Sequence, residues 1–330
     1  MVNYYSVTLV AIKPGPGANA PLDAHVCQIC LSDRSSNSLD AFRLYRRLLL
    51  EAGGRLRVVS LSLCLSADLL NLFCTPFAFT LSSVRGNLFV NYRHDYGLIG
   101  LPLALFHLWL LRFFDRVIAM TAAMSRQIYR VSGFMPYVIG NFIDEPAYKG
   151  VYPVSTSGRG AFRFLFLGSL SSRKQPVLIV RALKELRDLG VDAFLTFIGA
   201  GPELPRIISL SNDLGLSDRI HIVGFVDNPE QFVIQSDVLV LPSLSEGVSR
   251  AAIEALFLGV PCVLRNVDGA SELIVDGNNG VTFSRDSQLA YAMLSAAKLS
   301  RSLVYRQSLL PQEFRYAFAT DQYVRLISAI

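Results

Sequence analysis

Apolar and polar positions come in blocks along this chain, and the blocks become regular past its middle. Phe162–Leu167, Phe194–Ile198, Ile220–Val223, Val238–Leu241, Pro261–Leu264 and Gly280–Phe283 are short apolar runs that read as strands. Between them, Pro176–Leu189, Glu203–Leu214, Glu230–Gln235, Ser249–Leu258 and Ala270–Ile274 carry a helical repeat. This alternation predicts an α/β unit built on a doubly wound parallel sheet, with ligands at the carboxyl ends of the strands. Gly168, Gly199 to Gly201 and Ser243 to Glu246 follow the first, second and fourth runs and so fall at those ends.

The first half is less regular. Val7–Ile12, Val26–Leu31, Val58–Leu63, Ala78–Leu81 and Val117–Met120 read as strands, with helices at 39–52, 66–73, 98–113 and 122–131. Gly15 to Pro21 and Ser32 to Ser38 are loops by composition. The pattern divides the chain into a first unit at 1–142, a linker at 143–160, a second unit at 161–312 and a terminal helix at 313–330 directed back to the first unit.

The segment Glu246-Gly-Val-Ser-Arg-Ala-Ala-Ile-Glu254 carries the chemistry. Placed between a buried strand and a helix, Gly247, Val248 and Ser249 would offer unpaired N–H groups at a positive dipole end, a site for phosphate oxygens. Glu254 lies about 12 Å along at a helical rise, on roughly the same face. The two acids could then serve hydroxyls on both sides of a diphosphate. The alternative is a loop acid and an exposed helical acid.

Composition narrows the classes. Of 330 residues 52% are apolar and 17% charged, enough for two packed cores and against long disordered tracts. Residues 1–150 hold 14 Lys and Arg against 9 Asp and Glu, and the later half holds 17 of each, so the net +5 resides in the first half. Arg43, Arg46, Arg47, Arg55 and Arg57 cluster near one helix, which suits either an anionic membrane face or a solvated surface. No interleaved aromatics accompany them, so nucleic acid is not an expected partner. The longest apolar stretch, Leu98 to Leu111, is short for a membrane span of ~20 residues. Five cysteines fit a reducing compartment, Cys27 and Cys30 reading as buried strand residues. No Asp-x-Asp occurs, so no metal or other cofactor is expected.

Pro242-Ser243, the Glu246 to Glu254 run and Ala255-Leu-Phe-Leu-Gly-Val-Pro-Cys-Val263 together resemble the donor-binding segment of the retaining GT-B glycosyltransferases of family 4. Phe166-Leu-Gly168-Ser-Leu-Ser-Ser-Arg173-Lys174 is similar to that family's first donor-domain strand and loop. Phe197-Ile-Gly199-Ala-Gly201, Val223-Gly-Phe225-Val226, Phe114-Asp-Arg-Val-Ile-Ala-Met-Thr121 and Ile139-Gly-Asn141-Phe-Ile-Asp144 extend the likeness. The resemblance implies two Rossmann-like domains facing across a cleft, and transfer of a sugar from a nucleotide diphosphate donor to a glycan or lipid-linked acceptor. Lys174 and Glu246 would be catalytic. Gly168, Arg173, Gly199, Phe225, Gly247, Val248, Ser249 and Glu254 would line the donor site. By itself Phe225 reads as core. The chain opens on what resembles the family's second strand, so a truncated first domain is expected. Leu61 and Leu63 stand where many relatives carry His-x-His, and Arg85 and His94 are the acceptor-side candidates. A cytoplasmic protein, peripheral on the inner membrane face, is the matching location. A nucleotide-sugar epimerase, or a catalytically silent nucleotide-sugar-binding protein, is the alternative.

Overall fold

The computed structural model describes residues 5–12, 26–33, 37–54, 58–148, 160–303 and 306–329. The Gly15 to Pro21 loop, His25, Arg55, Arg57 and residues 149–159 of the linker lie outside the described residues. Strands β1 (Val7–Ala11) and β2 (Val26–Cys30) pair in parallel. Strands β3 (Val59–Ser62), β4 (Phe79–Val84), β5 (Arg116–Ala119) and β6 (Tyr137–Val138) form a second parallel sheet in that order. Among the described residues no backbone pairing joins β1 to β3, so β3 is an edge and its Leu61 is exposed.

The later half builds one six-stranded parallel sheet. Its strands are β7 (Phe162–Leu167), β8 (Ala193–Ile198), β9 (Ile220–Gly224), β10 (Val238–Leu241), β11 (Cys262–Arg265) and β12 (Gly280–Phe283). Their order is β12-β11-β10-β7-β8-β9, so the chain reverses direction between β7 and β10. Loops leaving two adjacent strands toward opposite sides open a crevice at that switch point. Val238 to Leu241 are all buried, as are Phe164, Leu165 and Phe166, because helices cover both faces. A helix at Leu289–Ser302, unpredicted from the pattern, packs on β12, β11 and β10. Its buried side is Ala290, Ala292, Ala296 and Ala297 around Met293, small side chains that give a weak apolar contrast.

Three turns of this half are tied together. Gly168 N–H donates to Ile198 O, Leu170 N–H to Ala200 O, and Gly199 N–H to Gly224 O. A Cβ on Gly199, at φ 134°, would overlap the Gly168 carbonyl oxygen, and one on Gly201 would overlap that of Leu170. Only glycine lets the β7 and β8 turns approach so closely.

In the first half, the helix expected at 98–113 forms as Gly100–Leu110 flanked by single 3-10 turns at Gly97–Ile99 and Leu111–Phe113, and a second helix, Leu88–Tyr96, precedes it. Helices Leu88–Tyr96 and Gly100–Leu110 meet at Gly97, at φ 61°, and pack on each other as a hairpin. No residue of Leu88–Tyr96 is fully buried; only Leu88 and Phe89, at its start, pack partly against the core, which leaves the sequence a weak helical signal. Beneath the hairpin runs a buried chain of polar groups. His107 Nε2 lies 2.6 Å from the Asp68 carboxylate and its Nδ1 lies 2.7 Å from the Tyr92 hydroxyl. The helix Tyr316–Ser328 sets Leu326 against Leu81, Ile118 and Ile139 of the second sheet. Cys27 is exposed and Cys30 half-buried, contrary to the reading of both as buried, because the two-stranded β1–β2 sheet leaves one face to solvent.

Candidate active site

The β10 strand ends at Leu241, and the helix that follows runs from Arg250 to Phe257 with Ser249 as its extended N-cap residue. Between them, Glu246, Gly247, Val248 and Ser249 line a recess of about 320 Å³, counting its open mouth, together with Arg265 and Gly269. Among the described residues the N–H groups of Gly247, Val248 and Ser249 have no acceptor within the protein. A helix start with unpaired donors attracts anions.

The β7 loop supplies the cations. A short turn at Ser172–Lys174 is closed by Gln175 in the left-handed region, at φ 52°. From it the Lys174 ammonium reaches the Glu246 carboxylate, both side chains being largely withdrawn from solvent. Arg173 donates to Ser245 O at 2.7 Å, and Leu244 N–H returns a bond to Arg173 O at 2.9 Å. The two loops at the switch point are thus laced into one wall, with a positive charge, a carboxylate and a row of free N–H groups side by side.

Glu254 stands elsewhere. Glu246 precedes the helix, so the helical spacing drawn from the sequence does not apply, and Glu254 does not line the recess. Its carboxyl is half-buried rather than exposed, near the Tyr148 hydroxyl and 3.6 Å from Arg250. Burial pushes its pKa up, with Arg250 opposing. Burial also raises the Tyr148 hydroxyl, and the Glu254 charge adds to that. Phe225 is 77% exposed, so it is not core; its neighbour Val226 packs inward instead. It protrudes beyond the carboxyl end of β9 as a bare aromatic face.

Residues 154–302 match the family described as Glycosyl transferases group 1. Over those residues the chain is similar to the glycosyltransferase group 1 domain. An N-acetyl-alpha-D-glucosaminyl L-malate synthase of Bacillus anthracis is 31% identical over 148 residues, 42% of this chain and 38% of that protein. A UDP-Gal:alpha-D-GlcNAc-diphosphoundecaprenol alpha-1,3-galactosyltransferase of Escherichia coli is 30% identical over 125 residues, 37% of this chain and 32% of that protein. The matches span less than half the length of these relatives. In three dimensions the likeness is wider. HepE of Anabaena, solved in complex with UDP and glucose, superposes with a TM-score of 0.79 at 18% identity, over 98% of this chain and 92% of that one. A sucrose-phosphate synthase of Thermosynechococcus elongatus gives 0.76 at 18% identity, over 98% and 90%. The fold is therefore the α/β GT-B arrangement of parallel sheets.

The first half meets the later half at this same recess. A Cβ on Gly247 would come within 2.7 Å of Arg85 O, and one on Gly269 would overlap Thr121. Arg85 donates to Asn141 Oδ1 at 3.2 Å, and Asn141 Nδ2 lies 3.4 Å from Val248 O. His94 Nε2 is 2.9 Å from Ser172 Oγ, beside Lys174. Both acceptor-side candidates therefore border the crevice.

Sequence reasoning passed over three residues that fix its shape. Asp268, at φ 48°, accepts from Glu246 N–H and Ser245 Oγ through one oxygen and from Asn87 Nδ2 through the other. Glu272 accepts from Ala122 N–H and Ala123 N–H, both at 2.9 Å, capping the helix Ala122–Ser132 of the first half from across the crevice. Arg265, buried in the recess wall, donates to Pro242 O and to Asp286. Asp268-Gly269 is a turn dipeptide, which was the one local signal available.

Proposed function

We propose that the chain is a glycosyltransferase that moves a sugar, with retention, from a nucleotide diphosphate donor to a glycan or lipid-linked saccharide, as family 4 enzymes do. The observation that carries this reading is the meeting of Lys174, Glu246 and the free N–H groups of residues 247–249 at the switch point of the sheet. As the glycosidic bond loosens, negative charge grows on the departing diphosphate. A fixed ammonium and oriented amides stabilise that charge most when water is excluded. Lys174 and the turn therefore serve the leaving group without a metal ion. Glu246, released from Lys174 by the incoming phosphate, takes hydroxyls of the donor sugar. Holding the sugar by one face directs the acceptor hydroxyl to the side the leaving group vacates, so the anomeric configuration is kept.

Phe225 lies where the nucleobase would extend, and Arg85 and His94 face the acceptor. Glu254 reaches ribose hydroxyls only if the nucleotide displaces Tyr148 from it. The complexes of HepE with UDP and UDP-glucose show what that neighbour binds, and the galactosyltransferase relative is named for a diphosphoundecaprenol-linked acceptor. Such chemistry belongs to envelope polysaccharide synthesis on the cytoplasmic side of the membrane. An epimerase gains nothing from relatives named as transferases and synthases.

Titration of the protein with UDP in a calorimeter, with and without a chelator, tests the donor site. Binding that survives the chelator is expected, and absence of binding overturns the reading. UDP release from UDP-sugar that rises with added glycan extracts marks transfer; binding with no turnover under any acceptor marks the silent alternative.

A further inference from the structure

The helical hairpin of the first half presents an apolar surface that, among the described residues, neither sheet nor helix covers. Leu98 is 97% exposed, and Leu101, Leu105, Phe106, Trp109 and Phe113 are each between 44% and 53% exposed. They recur at three- and four-residue steps, so one side of the helix Gly100–Leu110 and its extension carries them all. Trp109 stacks on Phe106 and meets Phe113 edge-on, ring centroids 6.1 and 4.9 Å apart. Single exposed apolar residues are ordinary, but a contiguous aromatic and aliphatic stripe marks a contact surface.

By length and composition Leu88–Phe113 could cross a membrane. The fold excludes it here. Tyr92 and His107 would stand about 22 Å apart in a straight helix, yet their hydroxyl and ring nitrogen touch. The buried His107–Asp68 contact then pins the inner side of the hairpin to the body of the protein. The outer side is left to lie on a surface.

Charge says which surface. From Gly97 to Val138 the only acid is Asp115, and it is engaged by the backbone and hydroxyl of Thr80. The same stretch holds Arg112, Arg116, Arg126 and Arg130, all exposed. Helix Ala122–Ser132 packs on helix Gly100–Leu110 and shows Arg126, Tyr129 and Arg130 to solvent together. By contrast, the arginines of helix Ser38–Glu51 are partly neutralised: Arg43 pairs with Asp40 and Arg47 with Glu51.

We propose that the outer side of this hairpin docks in the interfacial layer of a bilayer containing anionic phospholipid, its apolar stripe among the upper acyl chains and its arginines at the headgroups. An apolar face with flanking arginines and a tryptophan has the form of an in-plane membrane anchor. The stripe starts four residues after His94, which touches the β7 loop of the other half. A docked bilayer therefore lies beside the mouth of the crevice, where a lipid-linked acceptor would enter; that last step rests on the function proposed above.

Trp109 is the chain's single tryptophan, so its emission reports on the stripe alone. Vesicles of phosphatidylglycerol with phosphatidylcholine are titrated into the protein, followed by vesicles with brominated chains. A blue shift, quenching by the brominated lipid and release by ~0.5 M salt are expected. The double substitution L98E and L105E should weaken vesicle binding by about tenfold or more, with circular dichroism and UDP binding unchanged. No shift with anionic vesicles, or a shift that follows protein concentration without lipid, overturns the proposal. UDP binding is read without lipid, so a failed donor site and a failed membrane face give separate signatures.

Discussion

Lys174 and Glu246 neutralise each other before any ligand arrives, which sets up opposite outcomes for two conservative substitutions. Lys174→Met keeps most of the aliphatic stem and removes the charge. At an effective dielectric of about 20, unit charges about 4 Å apart attract by about 4 kcal/mol. The ammonium must leave the Glu246 carboxylate to meet a diphosphate, and that offsets part of the gain. A net loss of about 1.5–3 kcal/mol remains, the worth of a hydrogen bond to a charged group, or roughly tenfold to 150-fold in Kd. Glu246→Gln removes the competitor instead, so UDP should bind as well as before or tighter, while turnover of UDP-sugar falls. The two changes share a partner, so the double variant should not show the sum of the single effects. Calorimetry with UDP on the four proteins reads all of this. Wild-type affinity in Lys174→Met, or weaker UDP binding in Glu246→Gln, would refute the reasoning.

Other positions give sharper tests of the scaffold. Glu254 has a pKa raised from 4.5 by burial, so the folded state holds its proton more tightly than the unfolded chain. Its contribution is present in full below the unfolded value and is lost as pH rises through the folded one. Glu254→Gln should therefore gain on the wild type as pH climbs from 4.5, in urea unfolding at a series of pH values; a constant gap would count against it. Gly199→Ala places a Cβ against Gly168 O at a φ of 134° and should cost about 2–4 kcal/mol in urea unfolding, whereas a neutral result would deny the close approach of the turns. Glu272→Ala strips the acceptor from Ala122 and Ala123 N–H, a loss of about 1–2 kcal/mol; hydrogen exchange at those amides should quicken, and unchanged protection would show that the cap is not made.

The later half was legible because its strands are buried on both faces. Phe162–Leu167, Val238–Leu241 and Gly280–Phe283 emerge with the bounds their apolar runs predicted, and helix Glu230–Gln235 likewise. Lys174 and Glu246 were brought to one site by the family resemblance, and the strand order explains their meeting, since both follow strands that flank the switch point. Glu254 escaped because its surroundings come from Tyr148, a residue more than a hundred positions away whose approach no local pattern encodes. The same holds for Asp268 and Glu272, whose partners Asn87 and Ala122 lie on the other half of the chain. Phe225 misled for another reason: an aromatic residue after a strand has the same signature whether it packs inward or stands out to meet a ligand. Helix Leu88–Tyr96 packs on Gly100–Leu110 with Leu88 and Phe89 partly buried, and Asn87, Asn91 and His94 tie it to Asp268, Ser245 and Ser172 of the other half, partners no local pattern encodes.

A structure of the protein crystallised with UDP tests the central claim most directly. The account predicts the diphosphate seated on the N–H groups of residues 247–249, with Lys174 Nζ turned from Glu246 to a phosphate oxygen. A diphosphate bound away from the β7–β10 crevice, with the Lys174–Glu246 pair intact beside an empty turn, would contradict it.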